Sequence, residues 1–337
     1  MWDFKLGQVF GLLLKTSAFL VFRFLIYMGI VVAYILAVGI GAGVGALTGS
    51  ILGSASGTGG GAGLGGLFGF GVASVVLYWA REYILYMVKA GHIAVLVELM
   101  QGKQIPGGKG QISYASEVVH ERLGESSSLF ALDLLIKGIL RVFNRMIMRI
   151  GRFIPIPAAQ NLIKMISAVV SMSLTYVDEI ILAYSIKTES TNPWASARTA
   201  VVLYAQNYKT MLKNAVFLTL FVWMLTFVVF LVVLAPVALI VSLFPGVGGF
   251  LTLGLALIVA WGIKQAVIEP FAMCALMQVF FQVIEGQEPN AEWEAKLESW
   301  TPKFAELKQK AIDAGGEAQV GKTGGAAEAG ASLPPAQ

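Results

Sequence analysis

Residues 39–71 read GIGAGVGALTGSILGSASGTGGGAGLGGLFGFG, and glycine returns at every fourth position: Gly41, Gly45, Gly49, Gly53, Gly57, Gly61, Gly65 and Gly69. On a helix that spacing sets the glycines in a slowly drifting line along one side, where a neighbouring backbone can approach with no side chain between. In water such a tract is a flexible linker. Here it lies inside a 57-residue stretch, Phe24 to Ala80, that holds no charged residue. That is too long for one membrane crossing of about 20 residues and right for two with a turn. The stretch reads as a transmembrane helical hairpin closed by a glycine zipper. Its turn is expected at Ser54–Gly60, where poor helix formers meet permissive glycine.

Composition agrees with a membrane setting. The chain is 57% hydrophobic and 13% charged, with a mean hydropathy of +0.75, well outside the range of soluble domains. A second charge-free stretch, Asn214 to Ile263, covers 50 residues and predicts another hairpin. The single Cys274 excludes an intramolecular disulfide framework. The N-terminus carries Asp3, Lys5 and Lys15 and no small-residue cleavage site after a short apolar core, so no removable signal peptide is read there. Residues 81–160 hold ten Lys/Arg against six Asp/Glu, while neither hairpin turn holds a charge. The positive-inside rule then places both termini and the central segment in the cytoplasm, in an inner or plasma membrane, with the turns outside.

Five segments follow. Residues 1–16 space Trp2, Leu6, Val9, Phe10 and Leu13 as one helical face and predict an interfacial amphipathic helix. Residues 17–101 are the glycine hairpin with a helical extension, on which Glu82, Tyr86 and Lys89 share a face. Residues 102–190 form a central region of helices over about 127–152 and 158–187. Residues 191–286 carry the second hairpin behind an Asn192-Pro193 helix start. Residues 287–337 form a tail with one charged helix to about Ala314, then a Gly/Ala/Pro-rich run expected to be disordered. The fold class is all-α. The segments Leu13–Leu20 and Met211–Leu218 match at four of eight positions, each leading into a hairpin, which is either a parallel internal repeat or a chance match between two hydrophobic segments.

The central region carries a basic stripe: Lys137, Arg141, Arg145, Arg149 and Arg152 at spacings of four, four, four and three. Such a helix either lies on an anionic lipid surface, each basic residue contributing about 1 kcal/mol, or packs inside the protein with a snorkelling edge. Other ionisable residues near membrane depth are Arg81, Glu82, Lys89, Asp178, Glu179, Lys264 and Glu269. Charges there face a partner or a water-filled cavity. Arg81, Glu82 and Lys89 read as markers of the membrane edge. Glu269, Asp178 and Glu179 are candidates to attract an amine, with Trp261, Tyr184 or Trp79 covering it by cation–π contact. Pro270 frees a backbone carbonyl beside Glu269.

Catalytic and metal chemistry find little support. Two histidines and one cysteine leave no ligand cluster, so no metal or cofactor is expected, and no nucleophile–base arrangement suggests an enzyme. Gly316-Glu-Ala-Gln-Val-Gly-Lys-Thr323 satisfies the Walker A pattern by letter, but no strand precedes it and no nucleotide or nucleic-acid partner is expected.

From about residue 102 to 287 the order of features resembles the choline transporter-like family. The resemblance rests on Ile105-Pro106, on His120-Glu-Arg-Leu-Gly124 leading into an Ile/Leu-rich helix with Arg141, on Ala183-Tyr184, and on Ala195-Ser-Ala-Arg-Thr-Ala-Val-Val-Leu203 followed by Asn207. It implies transport of choline or a related amine, and a central helix pair that enters the membrane. The expectation is therefore a permease-like protein for a small organic cation. Its rivals are a structural protein that homo-oligomerises through the zipper while gripping anionic lipid, and an oligomeric channel.

Overall fold

The structure, a computed structural model, describes residues 2–51, 57–104, 110–123, 126–151, 176–243 and 249–315. These residues form helices and no strand: α1 (Leu6–Lys15), α2 (Ser17–Ile51), α3 (Gly57–Met100), α4 (Gln111–Leu123), α5 (Ser126–Gly151), α6 (Val177–Lys187), α7 (Pro193–Gln206), α8 (Tyr208–Ser242), α9 (Gly249–Ile263), α10 (Glu269–Val283), α11 (Ala291–Trp300) and α12 (Pro302–Asp313). A π-helical turn, Lys264–Ile268, joins α9 to α10.

Four lengths are long and apolar enough to cross a membrane: Ser17–Thr48, Tyr83–Met100, Tyr208–Ser242 and Thr252–Val283. The chain is a membrane protein on this ground. Leu25, Leu36, Ile40 and Leu47 of α2, and Phe227, Val232 and Leu239 of α8, stand exposed, as side chains facing lipid do. By contrast Ala90–Val97 of α3 and most of α6, α7 and α10 are buried. Helices apolar on all sides make a core, and α11 and α12 close it with Leu297, Phe304 and Leu307.

α2 packs along α3. Gly41 and Gly45 on α2 are half-buried, whereas Gly39 and Gly43 are exposed with nothing within 4 Å of a Cβ built on either. The expected turn at Ser54–Gly60 needs correction. Residues 52–56, and Gly53 with them, lie outside the described residues, but Gly57–Gly60 already belong to α3. Glycine is a poor helix former in water, yet in hydrocarbon a backbone amide has no other partner than its own helix. At 44 residues α3 is about 66 Å long, roughly twice the hydrocarbon thickness, so it crosses and then continues.

A second correction concerns the tail, where two helices replace the one expected. The break falls at Thr301-Pro302: Thr301 Oγ1 accepts from Lys303 N at 3.3 Å and Pro302 occupies the first turn, a start signal inside a charged run. Asn192 acts as read, accepting from Trp194 N and Ala195 N at 3.1 Å, and its Nδ2 donates to Ala311 O at 2.8 Å, fastening α12 to α7. The expected helix over 158–175, the second turn at 244–248, the tail beyond residue 315 with its Walker-like letters, and Arg152 lie outside the described residues.

The charged ends of the long helices meet. Asp3 N donates to Asn214 Oδ1 at 2.8 Å, Lys213 pairs with the Asp3 carboxylate at 2.6 Å, and Lys5 N donates to Gln278 Oε1 at 2.7 Å. The N-terminus is thereby tied to the start of α8 and the end of α10. Where α9 meets α2, the end of the Met28 side chain fills the space beside Gly262 that a Cβ would take.

Candidate functional site

Lys89 shares with Tyr86 the face of α3 that the sequence assigns to both, and that face turns inward. With Ile136 and Lys137 of α5, Asp178, Glu179 and Leu182 of α6, and Tyr27 of α2 it encloses a cavity of about 220 Å³. Lys89 faces a partner inside the protein. Its Nζ donates to Glu179 Oε1 at 2.7 Å across 90 residues of sequence. Lys137 Nζ lies 2.7 Å from Asp133 Oδ2, one turn back on α5, and 3.6 Å from Asp178 Oδ2. Three carboxylates thus share two ammonium groups. Glu179 and Asp133 each hold a lysine at hydrogen-bond distance, while Asp178 reaches Lys137 only at a longer range.

The imbalance shows in the titration of the groups. Burial, and after it the charge of neighbouring Glu179, pushes the Asp178 carboxyl up to about 7. Burial by itself would lower Lys137, but Asp178 and Asp133 outweigh it and hold the ammonium above its usual range. With both lysines charged and all three carboxylates ionised the side chains lining the cavity sum to one net negative charge, with the Arg23 guanidinium close behind the wall. Its polar walls and two tyrosine rings suit a small cation. Among the described residues no group of three His, Cys, Asp or Glu side chains has the arrangement to hold a metal ion.

The remaining sequence candidates lie elsewhere. Glu269 is ion-paired with Lys264 in the π-helical turn, and Gln265, with its amide nitrogen turned toward the carboxylate, donates to it at 2.5 and 2.7 Å. Trp261 is half-exposed and meets Tyr27 edge-on at 5.5 Å between centroids, which places it behind the cavity wall. Tyr184 packs edge-on against Phe280 in the core, 6.2 Å between centroids. Of the candidate substrate residues, Asp178 and Glu179 come together, and Glu269, Trp261 and Tyr184 do not join them.

Tyr27 and Asp133 were not read from the sequence. Asp133 is the lone acidic residue of α5, four positions before Lys137, a signal open to inspection. Tyr27 offers none. On the basic stripe, Arg141 and Arg145 are exposed, Lys137 is drawn into the cavity wall, and the Arg149 side chain is outside the described residues. The opposite face of α5 is buried through Leu132, Leu135, Ile136, Ile139 and Phe143.

One further charge is embedded here. Arg23 of α2 is 2% exposed, and its Nη2 donates to Gln265 O at 3.0 Å. The reason lies in Pro270. In the π-helical register Glu269 N bonds to Lys264 O, so the next amide would serve Gln265 O, and proline has none. Arg23 supplies the missing donor. Comparison with known protein families, characterised proteins and solved structures finds no match to this chain.

Proposed function

We propose that the protein is a permease-like membrane transporter for a small organic cation, an amine of choline-like size. The observation that carries this is the surplus carboxylate in a cavity bounded by helices of two apolar spans: Asp178, Glu179 and Asp133 against Lys89 and Lys137, with Tyr27 and Tyr86 on the wall. Charges at that depth are costly and persist where they face a partner or a passage. A cation entering beside Asp178 neutralises the odd carboxylate and gains the faces of the tyrosines. The resemblance to the choline transporter-like family over residues 102–287 points to the same ligand class. In this reading the helices form two hairpins, both termini are cytoplasmic, and Asp178 and Glu179 act in place of Glu269, Trp261 and Tyr184. The test is choline and tetramethylammonium binding to the purified chain in lipid nanodiscs, followed by uptake in proteoliposomes. Binding that Asp178→Asn removes supports the proposal; equal binding by wild type and variant sinks it.

A second reading is supported by the open glycines. Gly39 and Gly43, one turn apart on an exposed face of α2 beside Ile40 and Leu47, offer the small-xxx-small surface on which membrane helices associate. Homo-oligomerisation through that face is compatible with transport, and in a purely structural or channel-forming protein it would be the main property. The zipper glycines Gly41 and Gly45 then hold α2 to α3, and Gly39 and Gly43 hold one copy to the next. Exposed Arg141 and Arg145 serve as contacts to anionic lipid.

A further inference from the structure

A groove of about 650 Å³ runs where the end of α1 meets α3, α6 and α10, with Lys15, Lys187, Gln8, Gln101, Gln278 and Phe281 among its walls. It is separate from the cavity around Lys89 and has the opposite charge. Two lysines and no carboxylate are among the residues that line it. Neither lysine has an ion-pair partner among the described residues. Lys187 Nζ instead stands over the Phe281 ring, 4.3 Å from its centroid. Glu285, in the turn after α10, acts on Lys187 through space, yet burial outweighs it and holds the ammonium below its usual range. Gln278 is fixed by Lys5 N at 2.7 Å and donates to Gln8 Oε1 at 2.6 Å, so the polar wall is built from both helices.

The surroundings of the groove follow from the helices that end at it. The apolar spans Tyr83–Met100 and Thr252–Val283 both terminate here, and α1 is an amphipathic helix with Val9 and Leu13 turned inward. The groove therefore sits where two apolar helices give way to polar chain. Its lining joins the apolar side chains of Leu12, Leu99 and Met100 to the two lysines. Such a site matches an anion carried on an apolar chain.

We propose that this groove binds the phosphate headgroup of an anionic phospholipid, with Lys15 and Lys187 on the phosphate and the apolar floor beneath its first methylenes. The two lysines belong to different helices, so the bound lipid would bridge α1 to α6. The site is distinct from the basic stripe of α5.

The experiment is native mass spectrometry of the full chain in detergent with phosphatidylglycerol, phosphatidylcholine or inorganic phosphate added. Phosphatidylglycerol should be retained in preference to phosphatidylcholine, and the double variant Lys15→Gln/Lys187→Gln should lose at least about tenfold in retention. Gly11→Leu gives an independent check: Gly11 lines the groove and nothing lies within 4 Å of a Cβ there, so the side chain fills the groove without displacing its neighbours. It should cause the same loss. Full retention by both groove variants overturns the proposal. Displacement of the lipid by millimolar inorganic phosphate overturns the lipid assignment in favour of the free anion.

Discussion

At the scale of single residues, two charge contacts organise the membrane-facing part of the molecule. Lys89 and Glu179 form one, and removing either partner leaves the other facing a half-dry cavity. Glu179→Gln is expected to lower stability by about 2 kcal/mol, read as a fall in melting temperature in detergent. Asp178 gives a prediction with a definite sign. Its neutral form dominates below about pH 7, because burial disfavours the charge, and the facing groups are Glu179 beside it, Lys89 on α3, and Asp133 and Lys137 on α5. A proton then competes with the ligand. Cation binding should weaken as pH falls from 8 to 6, and any binding left in Asp178→Asn should be flat over that range; a wild-type titration without this slope removes Asp178 from the site. Arg23 supplies the second contact. Arg23→Met should cost about 2 kcal/mol in the native background and clearly less alongside Pro270→Ala, where the restored amide can take over Gln265 O. The presence of Arg23, Lys89, Asp178 and Glu179 was plain in the chain. That Arg23 serves a carbonyl 242 residues away was not, since nothing local marks the pairing.

At the scale of elements, the same helix break occurs twice. α1 gives way to α2 at Thr16, with φ −103° and ψ 23°, and α7 to α8 at Asn207, with φ −104° and ψ 15°. Each side chain bonds back one turn, Thr16 Oγ1 to Leu12 O at 3.1 Å and Asn207 Nδ2 to Leu203 O at 2.9 Å. In both cases a 35-residue helix follows. The sequence match between Leu13–Leu20 and Met211–Leu218 aligns Thr16 with Asn214 instead, about two turns away, because hydrophobic periodicity repeats each turn and cannot fix a register. Element boundaries otherwise follow local chemistry: Asn192-Pro193 starts α7 and Thr301-Pro302 divides the tail. Asn192 carries a cap and a tether together. Asn192→Ala should therefore cost about 2 kcal/mol and expose the α11–α12 pair to limited proteolysis before the rest of the chain unfolds. If the tail is cleaved no faster than in the native protein, the tether to Ala311 is not what holds it.

At the scale of the whole molecule, the glycine-rich helices divide by face. Leucine at Gly41 and Gly45 should separate α2 from α3 and reduce the yield of folded protein, whereas leucine at Gly39 and Gly43 should leave the fold intact and change the particle mass, measured by light scattering after size exclusion. The reverse pattern would mean that the seam between α2 and α3 lies on the other face. Topology has its own measurement. Cys274 is fully buried, and burial suits an inert thiol, so a cysteine introduced at Ser50 or Ser299 can be labelled selectively. With a membrane-impermeant maleimide on intact cells, Ser50→Cys should react at once and Ser299→Cys only after permeabilisation. The sequence by itself determined that the chain is helical and crosses a membrane, because length, apolar content and the satisfaction of backbone amides in hydrocarbon are local requirements. It also marked the caps and prolines that end the helices. The tertiary structure alone decided which charges meet. It put Lys89 against Glu179, Lys137 between Asp133 and Asp178, and Lys15 and Lys187 on the walls of one groove, since the rotation and depth of each helix follow from how the others pack against it, and the spacing of residues along one helix carries no record of that.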